Sequence, residues 1–266
     1  MSVADELRNA VAAELASLTA NGGPAGTRCS RATYQQFVDD PLRAVMRKDI
    51  VTGYLAGELA PGGGVREAVI TAGVPGAGKS TAVNAILGAE ASQYRRVDAD
   101  VIKDTLLEDA VARGLYADLL GRRLADDKPV APRELAALVH VESTAISDSV
   151  RRNVLTSGEP VIIEGTLAWP EHGKSLLTEL RDADYERVRV ILVEVPEVVA
   201  QERALDRWWQ VRQAGGDALG GRFTPPDVIA GYYRPDGISL CRVHAEALVD
   251  DAADFDLTAE LEEWSM

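Results

Sequence analysis

Cysteine is nearly missing: Cys29 and Cys241 are the only two among 266 residues. That excludes a disulfide framework and fits idle thiols in a reducing compartment, so the expected location is the cytoplasm. The N-terminal run Met1-Ser2-Val3-Ala4-Asp5-Glu6 lacks the basic region and apolar core of a signal peptide. No apolar stretch approaches the roughly 20 residues that cross a bilayer, and no membrane partner is expected. Basic side chains are outnumbered, 28 against 42 acidic ones, for a net charge of −14. Such a field repels phosphate backbones, so no nucleic-acid partner is expected. His140, Glu142 and His172 do not show the H-E-x-x-H spacing, which speaks against zinc. Internal repeats, low-complexity tracts and long polar linkers are lacking too. The remainder, 46% apolar and 26% charged, suits a globular chain long enough for a sizeable core.

What is present is a glycine-rich segment in a telling place. Gly73-Val74-Pro75-Gly76-Ala77-Gly78-Lys79-Ser80-Thr81 follows the apolar run Ala68–Ala72 and precedes a helical stretch, Ala82–Leu87. It fits G-x-x-x-x-G-K-[ST] in its required strand-before, helix-after setting. Glycines let backbone N–H groups turn inward around an anion, and the helix directs its positive end at the same charge. The pattern predicts a nucleoside triphosphate site. Gly73, Pro75, Gly76, Ala77, Gly78, Lys79, Ser80 and Thr81 line it. Lys79 reaches the β- and γ-phosphates, and the Ser80 hydroxyl completes a Mg²⁺ shell.

Ahead of this loop the chain reads as helical. Val3, Leu7, Val11, Leu15 and Leu18 form one apolar stripe, stopped by Asn21-Gly22-Gly23-Pro24. A second helix is expected from Pro41 to Leu59, ended by Pro61-Gly62-Gly63-Gly64. The stripe could receive a partner protein, though packing on its own domain is the ordinary outcome. From Val65 onward strands alternate with helices. Strands are expected at Glu67–Thr71, Tyr94–Val97, Val161–Glu164, Arg187–Val195 and Phe255–Thr258. Helices are expected near Asp100–Arg113, Arg133–Thr156, His172–Arg181, Glu197–Gln213 and Pro226–Ala247. Such alternation implies an α/β fold with a mainly parallel sheet, whose ligands gather at the carboxyl ends of the strands.

Carboxylates stand at those ends. The second strand closes on Val97-Asp98-Ala99-Asp100. Asp100 is placed to accept a proton from an attacking hydroxyl or to hold a metal, and helix capping is the competing role. Glu164-Gly165-Thr166 ends the third strand, with Glu164 a substrate or metal contact. Glu202-Arg203, Arg207 and Arg212 follow the fourth strand, then a glycine-rich interval, Gly215–Pro226, bearing Arg222. This interval reads as a lid, since phosphoryl transfer needs cations over the equatorial oxygens. Trp208-Trp209 is expected to pack its helix on the core. A guanine-nucleotide switch would need N-K-x-D, which is absent. The acidic balance also disfavours a polynucleotide kinase.

Taken as a set, these motifs resemble the zeta-toxin family of small-molecule kinases, from about Val65 to Thr258. The markers are the G-x-P-G-x-G-K-[ST] loop, D-x-D, His140-Val141-Glu142-Ser143, I-E-G-T, E-R and R-x-T-P. The resemblance implies a three-layer P-loop kinase fold with a helical N-terminal extension (1–64) packed on a kinase domain (65–266) that carries a lid region. It implies transfer of the ATP γ-phosphate, with Mg²⁺, to a hydroxyl of a small molecule, in the family a UDP-amino-sugar. It also implies a possible antitoxin protein as partner. Carried over, Lys79 and Ser80 contact phosphate and Mg²⁺, and Asp100 is the general base. Arg203 and Arg222 meet the transferring phosphate, and Asp98, Glu142, Asp148, Glu164 and Thr166 surround the acceptor. The family's toxins place arginine two residues after the I-E-G-T threonine; here that position is Ala168, followed by Trp169-Pro170. A phosphotransferase that inactivates a nucleoside antibiotic is therefore the alternative expectation.

Overall fold

The computed structural model describes residues 3–57 and 66–265. The expected helix stop at Pro61–Gly64 and the 64/65 boundary lie outside them. Five strands, β1 (Glu67–Ala72), β2 (Arg95–Val97), β3 (Val161–Ile163), β4 (Arg187–Val193) and β5 (Thr258–Trp264), form one sheet in the order β2-β3-β1-β4-β5. Every pairing is parallel; Ile70 stands opposite both Ile163 and Val190. The apolar runs of β1 and β3 suit strands flanked on both sides and buried, and β1 lies in the middle of the sheet. The fold is α/β with a parallel sheet, as the strand–helix alternation implies.

Eleven α-helices occur among the described residues. They are α1 (Val3–Thr19), α2 (Thr33–Gln36), α3 (Pro41–Leu55), α4 (Lys79–Leu87), α5 (Ala99–Ala112), α6 (Ala117–Leu120), α7 (His140–Ser157), α8 (Pro170–Asp182), α9 (Glu197–Ala214), α10 (Pro226–Ala230) and α11 (Leu240–Asp251). None is long and apolar enough to cross a membrane. Two long helices expected from the sequence are broken. Residues 132–139 form a 3₁₀ helix ahead of α7. The stretch from Pro226 divides at the turn Arg234-Pro235-Asp236-Gly237, where Gly237 takes φ +83°, and α11 restarts with Ser239 Oγ accepting from Arg242 N at 3.1 Å. Proline and a left-handed glycine outweigh the apolar periodicity. The fifth strand begins at Thr258 and not at Phe255: Ala252–Phe255 is a 3₁₀ turn, and Asp256 takes φ +61°. Glu260, Glu262 and Glu263 hide this edge strand from a search for apolar runs.

Two compact units are present, each assembled from separated segments. The helical unit comprises Met1–Ile50, Ala99–Ile146 and Ala204–Pro226; the sheet unit comprises Val51–Asp98, Ser147–Arg203 and Asp227–Met266. This partition is drawn differently from the 1–64 and 65–266 division expected from the sequence.

In the sheet unit α4 packs on β1 and β4, and α11 packs on β4, β5 and α8. In the helical unit Val11, Leu15 and Leu18 of α1 join Tyr116, Leu135, Leu138, Trp208 and Phe223 in one core. The N-terminal half of the α1 stripe stays out of it, with Val3 83% exposed. Trp208 meets Phe223 edge-on at 4.9 Å, and its indole N–H donates to Glu134 at 2.7 Å. The tryptophan pair thus packs the helix on its core, as expected.

Candidate active site

In the sheet unit, the loop between β1 and α4 owes its path to three glycines. Gly73, Gly76 and Gly78 have φ of +148°, +86° and +100°. A Cβ on Gly73 would stand 2.7 Å from the Val193 carbonyl oxygen, so this position admits no side chain. The α4 N-terminus carries no side-chain cap, which leaves its first-turn amides to an outside acceptor. Lys79 lies along the loop, its Nζ donating to Gly73 O at 2.7 Å and to Val74 O at 3.2 Å. Ser80 and Thr81 are exposed at the start of the helix. These groups combine left-handed glycines, an uncapped helix N-terminus and an ammonium, an arrangement whose chemistry suits an anion.

The neighbouring strand ends are tied to this loop. The Gly73 amide donates to Thr166 O at 3.1 Å, and the Gly165 amide donates to Thr71 Oγ1 at 2.9 Å. Thr71 Oγ1 also lies 3.2 Å from Glu164 Oε2. Glu164 Oε1 is buried without a hydrogen bond, its nearest cation being Arg96 at 3.6 Å. Burial, reinforced by the charge of Asp98, pushes the Glu164 carboxyl above the usual carboxylate range despite Arg96 and Lys79. The Thr166 side chain pairs with Tyr232. Tyr54 pins the β2 end: its hydroxyl accepts from Asp98 N at 2.9 Å and donates to Arg96 O at 3.1 Å. Asp148 accepts from Arg151 at 2.8 Å on α7, and Arg203 is an exposed residue of α9. Thus the structure brings Glu164 and Thr166 to the loop.

In the helical unit, Asp100 stands in the first turn of α5. Its Oδ1 accepts from Lys103 Nζ at 2.8 Å and from Arg222 Nη1 at 3.3 Å. Arg222 Nη2 donates to Asp100 O at 3.2 Å and to Asp104 Oδ1 at 2.9 Å. Arg133 holds Asp104 from the other side, Nε to Oδ1 at 3.0 Å and Nη2 to Oδ2 at 3.1 Å. Asp100, Asp104, Arg133 and Arg222, with Arg207, Asp217 and Gly221, line a cleft of about 270 Å³. His140 lies near Lys103 and Asp100, and burial holds its imidazole below the ordinary histidine range. The glycine-rich interval is only partly loose. Leu219, Gly220, Gly221 and Phe223 are buried, and a Cβ on Gly221 would meet Trp208 O at 2.6 Å.

Glu142 is placed elsewhere. It is 3% exposed, and both its oxygens are engaged, by Arg43 Nε and Nη2 at 2.8 Å each and by Arg47 Nε at 2.7 Å. The expected acceptor contact is thus a buried ion pair that ties α7 to α3. Burial opposes its charge, yet the Arg43 hydrogen bonds hold Glu142 below the usual range. Sequence reasoning missed Thr71, Tyr54, Asp104 and Arg133. Asp104 could have been found, being one turn beyond Asp100 on the same helix face. Thr71, the polar residue of an apolar strand, also left a trace. Arg133 left none.

The Zeta toxin family profile matches residues 60–256, well over half of the chain. No curated relative matches the sequence. Among solved structures, the chain is similar to one from the PezAT chromosomal toxin-antitoxin system of Streptococcus pneumoniae, at TM-score 0.55 and 14% identity. The match covers 85% of this chain and 77% of that one. It is also similar to AvrRxo1-ORF1:-ORF2 with ATP, at TM-score 0.57 and 17% identity, over 85% of this chain and 64% of that one. At such identities the likeness is one of fold.

Proposed function

Since the chain belongs to the Zeta toxin family, it is a kinase-type phosphotransferase with a nucleotide site, and we propose that it moves the γ-phosphate of ATP to a sugar hydroxyl. The acceptor in this reading is a UDP-amino-sugar or a nucleoside-type small molecule. One observation carries it: the Gly73–Ser80 cradle, whose glycine conformations and uncapped helix start suit a polyphosphate and little else.

Mg²⁺ fits the residues at hand. No cluster of three or more His, Cys, Asp or Glu side chains able to hold a metal occurs among the described residues. Mg²⁺ ordinarily arrives with nucleotide phosphates and takes only one or two protein oxygens. The exposed Ser80 hydroxyl is one such oxygen, and Glu164 Oε1, which accepts no hydrogen bond and lies 3.6 Å from Arg96, would accept one from a metal-bound water or a substrate hydroxyl. Bound Mg²⁺ would offset charge on the phosphates.

Lys79 would exchange its two loop carbonyls for β- and γ-phosphate oxygens. Asp100, three residues past the β2 end, would take the proton of the acceptor hydroxyl, and Arg203 and Arg222 would neutralise the equatorial oxygens in transit. Asp98, Asp148, Glu164 and Thr166 would hold the acceptor; Glu142, engaged by two arginines, would not. The PezAT context of one structural relative supports an antitoxin-like partner for this chain too. An antibiotic-inactivating role is the second reading. It is favoured at the position where the toxins carry arginine, since Ala168 is buried and Trp169 beside it is 71% exposed.

The test is to incubate the protein with Mg-ATP and a panel of UDP-sugars and nucleoside antibiotics, following product mass. Gain of one phosphoryl group on one compound class identifies the acceptor, and no gain on any compound overturns the reading. Asp100→Asn is expected to abolish transfer with nucleotide affinity retained. Lys79→Ala is expected to lose both affinity and turnover, and wild-type affinity there would contradict the cradle.

A further inference from the structure

The arginine assigned to the transferring phosphate does not stand alone. Arg222 lies across α5 and touches two carboxylates one helical turn apart, and its closer contact is to Asp104, at 2.9 Å against 3.3 Å to Asp100 Oδ1. Asp104 Oδ1 is shared, because Arg133 Nε reaches the same oxygen at 3.0 Å. Arg133 in turn fastens the segment that leads into Arg222. Its backbone N–H donates to Leu219 O at 2.9 Å, its Nη1 donates to Gly220 O at 2.8 Å, and the same nitrogen pairs with Asp217. Gly220 itself has φ +74°, and a Cβ there would stand 2.4 Å from the Ala131 Cβ. Two of these three bonds to the segment run through the guanidinium that also grips Asp104 of α5, and the third is a main-chain bond at the same residue.

From this geometry we propose that Asp104 and Arg133 are positioning residues that set the Arg222 guanidinium beside Asp100. The proposal rests on the phosphotransferase reading above and adds to it two residues that the motifs do not mark. Nη1 rests on Asp100 Oδ1, while Nη2 is shared between Asp104 Oδ1, its shorter contact, and the Asp100 carbonyl oxygen. A planar guanidinium gripped from two residues has a fixed orientation, whereas one left with only the two longer contacts to Asp100 is held less tightly. Arg133 fixes the height of the segment and the rotamer of Asp104 together. Neither residue needs to touch substrate. Their effect passes through Arg222, so removing either matters only while Arg222 is present.

A double-mutant cycle tests this. With an acceptor from the panel, kcat and KM for ATP are measured for wild type, Asp104→Ala, Arg133→Met, Arg222→Ala and the two doubles with Arg222→Ala. The expected result is a fall in kcat of about tenfold to a hundredfold for each single positioning variant, the scale of an angstrom-sized misplacement. KM for ATP should stay within about threefold, because the loss is confined to the transition state. In the Arg222→Ala background the same substitutions should change kcat by less than about twofold. Asp104→Asn keeps an acceptor oxygen for Nη2 and should recover part of the loss, and it replaces Asp104→Ala in the cycle if that variant does not fold. Equal losses in both backgrounds overturn the proposal, as does wild-type kcat in the single variants. If wild type transfers nothing to any compound, the proposed function fails first and this assignment with it. Transfer by wild type with an additive cycle sinks this assignment alone.

Discussion

Single positions set what the loop can hold. Gly73 has backbone on one side and a left-handed φ on the other, so Gly73→Ala must shift either β4 or the loop. The expected cost is about 1–3 kcal/mol in stability, the scale of local strain, with loss of nucleotide binding. Denaturant unfolding and titration with a fluorescent nucleotide measure the two effects separately. Glu142 is the opposite case, a conspicuous motif residue that works inside the protein. Removing it in Glu142→Ala leaves Arg43, whose side chain is fully buried, without its main counter-charge. A loss of about 3–5 kcal/mol is expected, as for other broken buried pairs. The pH dependence has a definite sign. The folded state holds the Glu142 carboxyl below its ordinary value, so its stabilisation is complete above the unfolded value. It is lost as pH falls below the ordinary glutamate range and through the depressed value. Glu142→Gln should flatten that part of the acid limb in urea midpoints; an unchanged limb would show that the pair contributes no proton linkage.

At the scale of elements, the strands with apolar runs and the glycine loop were legible, because burial on both faces and left-handed turns each demand a restricted alphabet. The second and third strands followed from the strand–helix alternation, and D-x-D and I-E-G-T then marked their ends. What escaped was the extent of β5, expected at Phe255–Thr258 and found at Thr258–Trp264, since an edge strand tolerates glutamates. The breaks at Val139 and Gly231–Ser239 escaped as well, since apolar spacing persists across them. Of the candidate site, carboxylates at strand ends were visible and the groups that orient them were not: Tyr54 and Thr71 act through single hydroxyls that no spacing announces. One test belongs here. Tyr54→Phe removes the hydroxyl that bridges Asp98 N and Arg96 O, and it should cost about 1–3 kcal/mol through the loss of these two hydrogen bonds. Hydrogen exchange at Asp98 should rise in that variant, and unchanged protection would mean that the bridge is dispensable.

For the whole molecule, the balance of 42 acidic to 28 basic residues narrows the company it keeps. Retention on a polyanion column at low salt would contradict the expected repulsion. Nucleotide should act as a global stabiliser, because the cradle exists only in the folded chain. At a hundred times Kd the gain should be about 2.7 kcal/mol, read as a shift in urea midpoint at constant slope.

One detail of the loop bears on how that gain arises. With its ammonium resting on Gly73 O and Val74 O, Lys79 keeps its long side chain already immobilised. An arriving triphosphate therefore inherits a parked cation and swaps one set of oxygens for another, with little side-chain freedom left to surrender. Calorimetry on wild type and Lys79→Met should find that this residue contributes mainly heat, with a small entropic penalty.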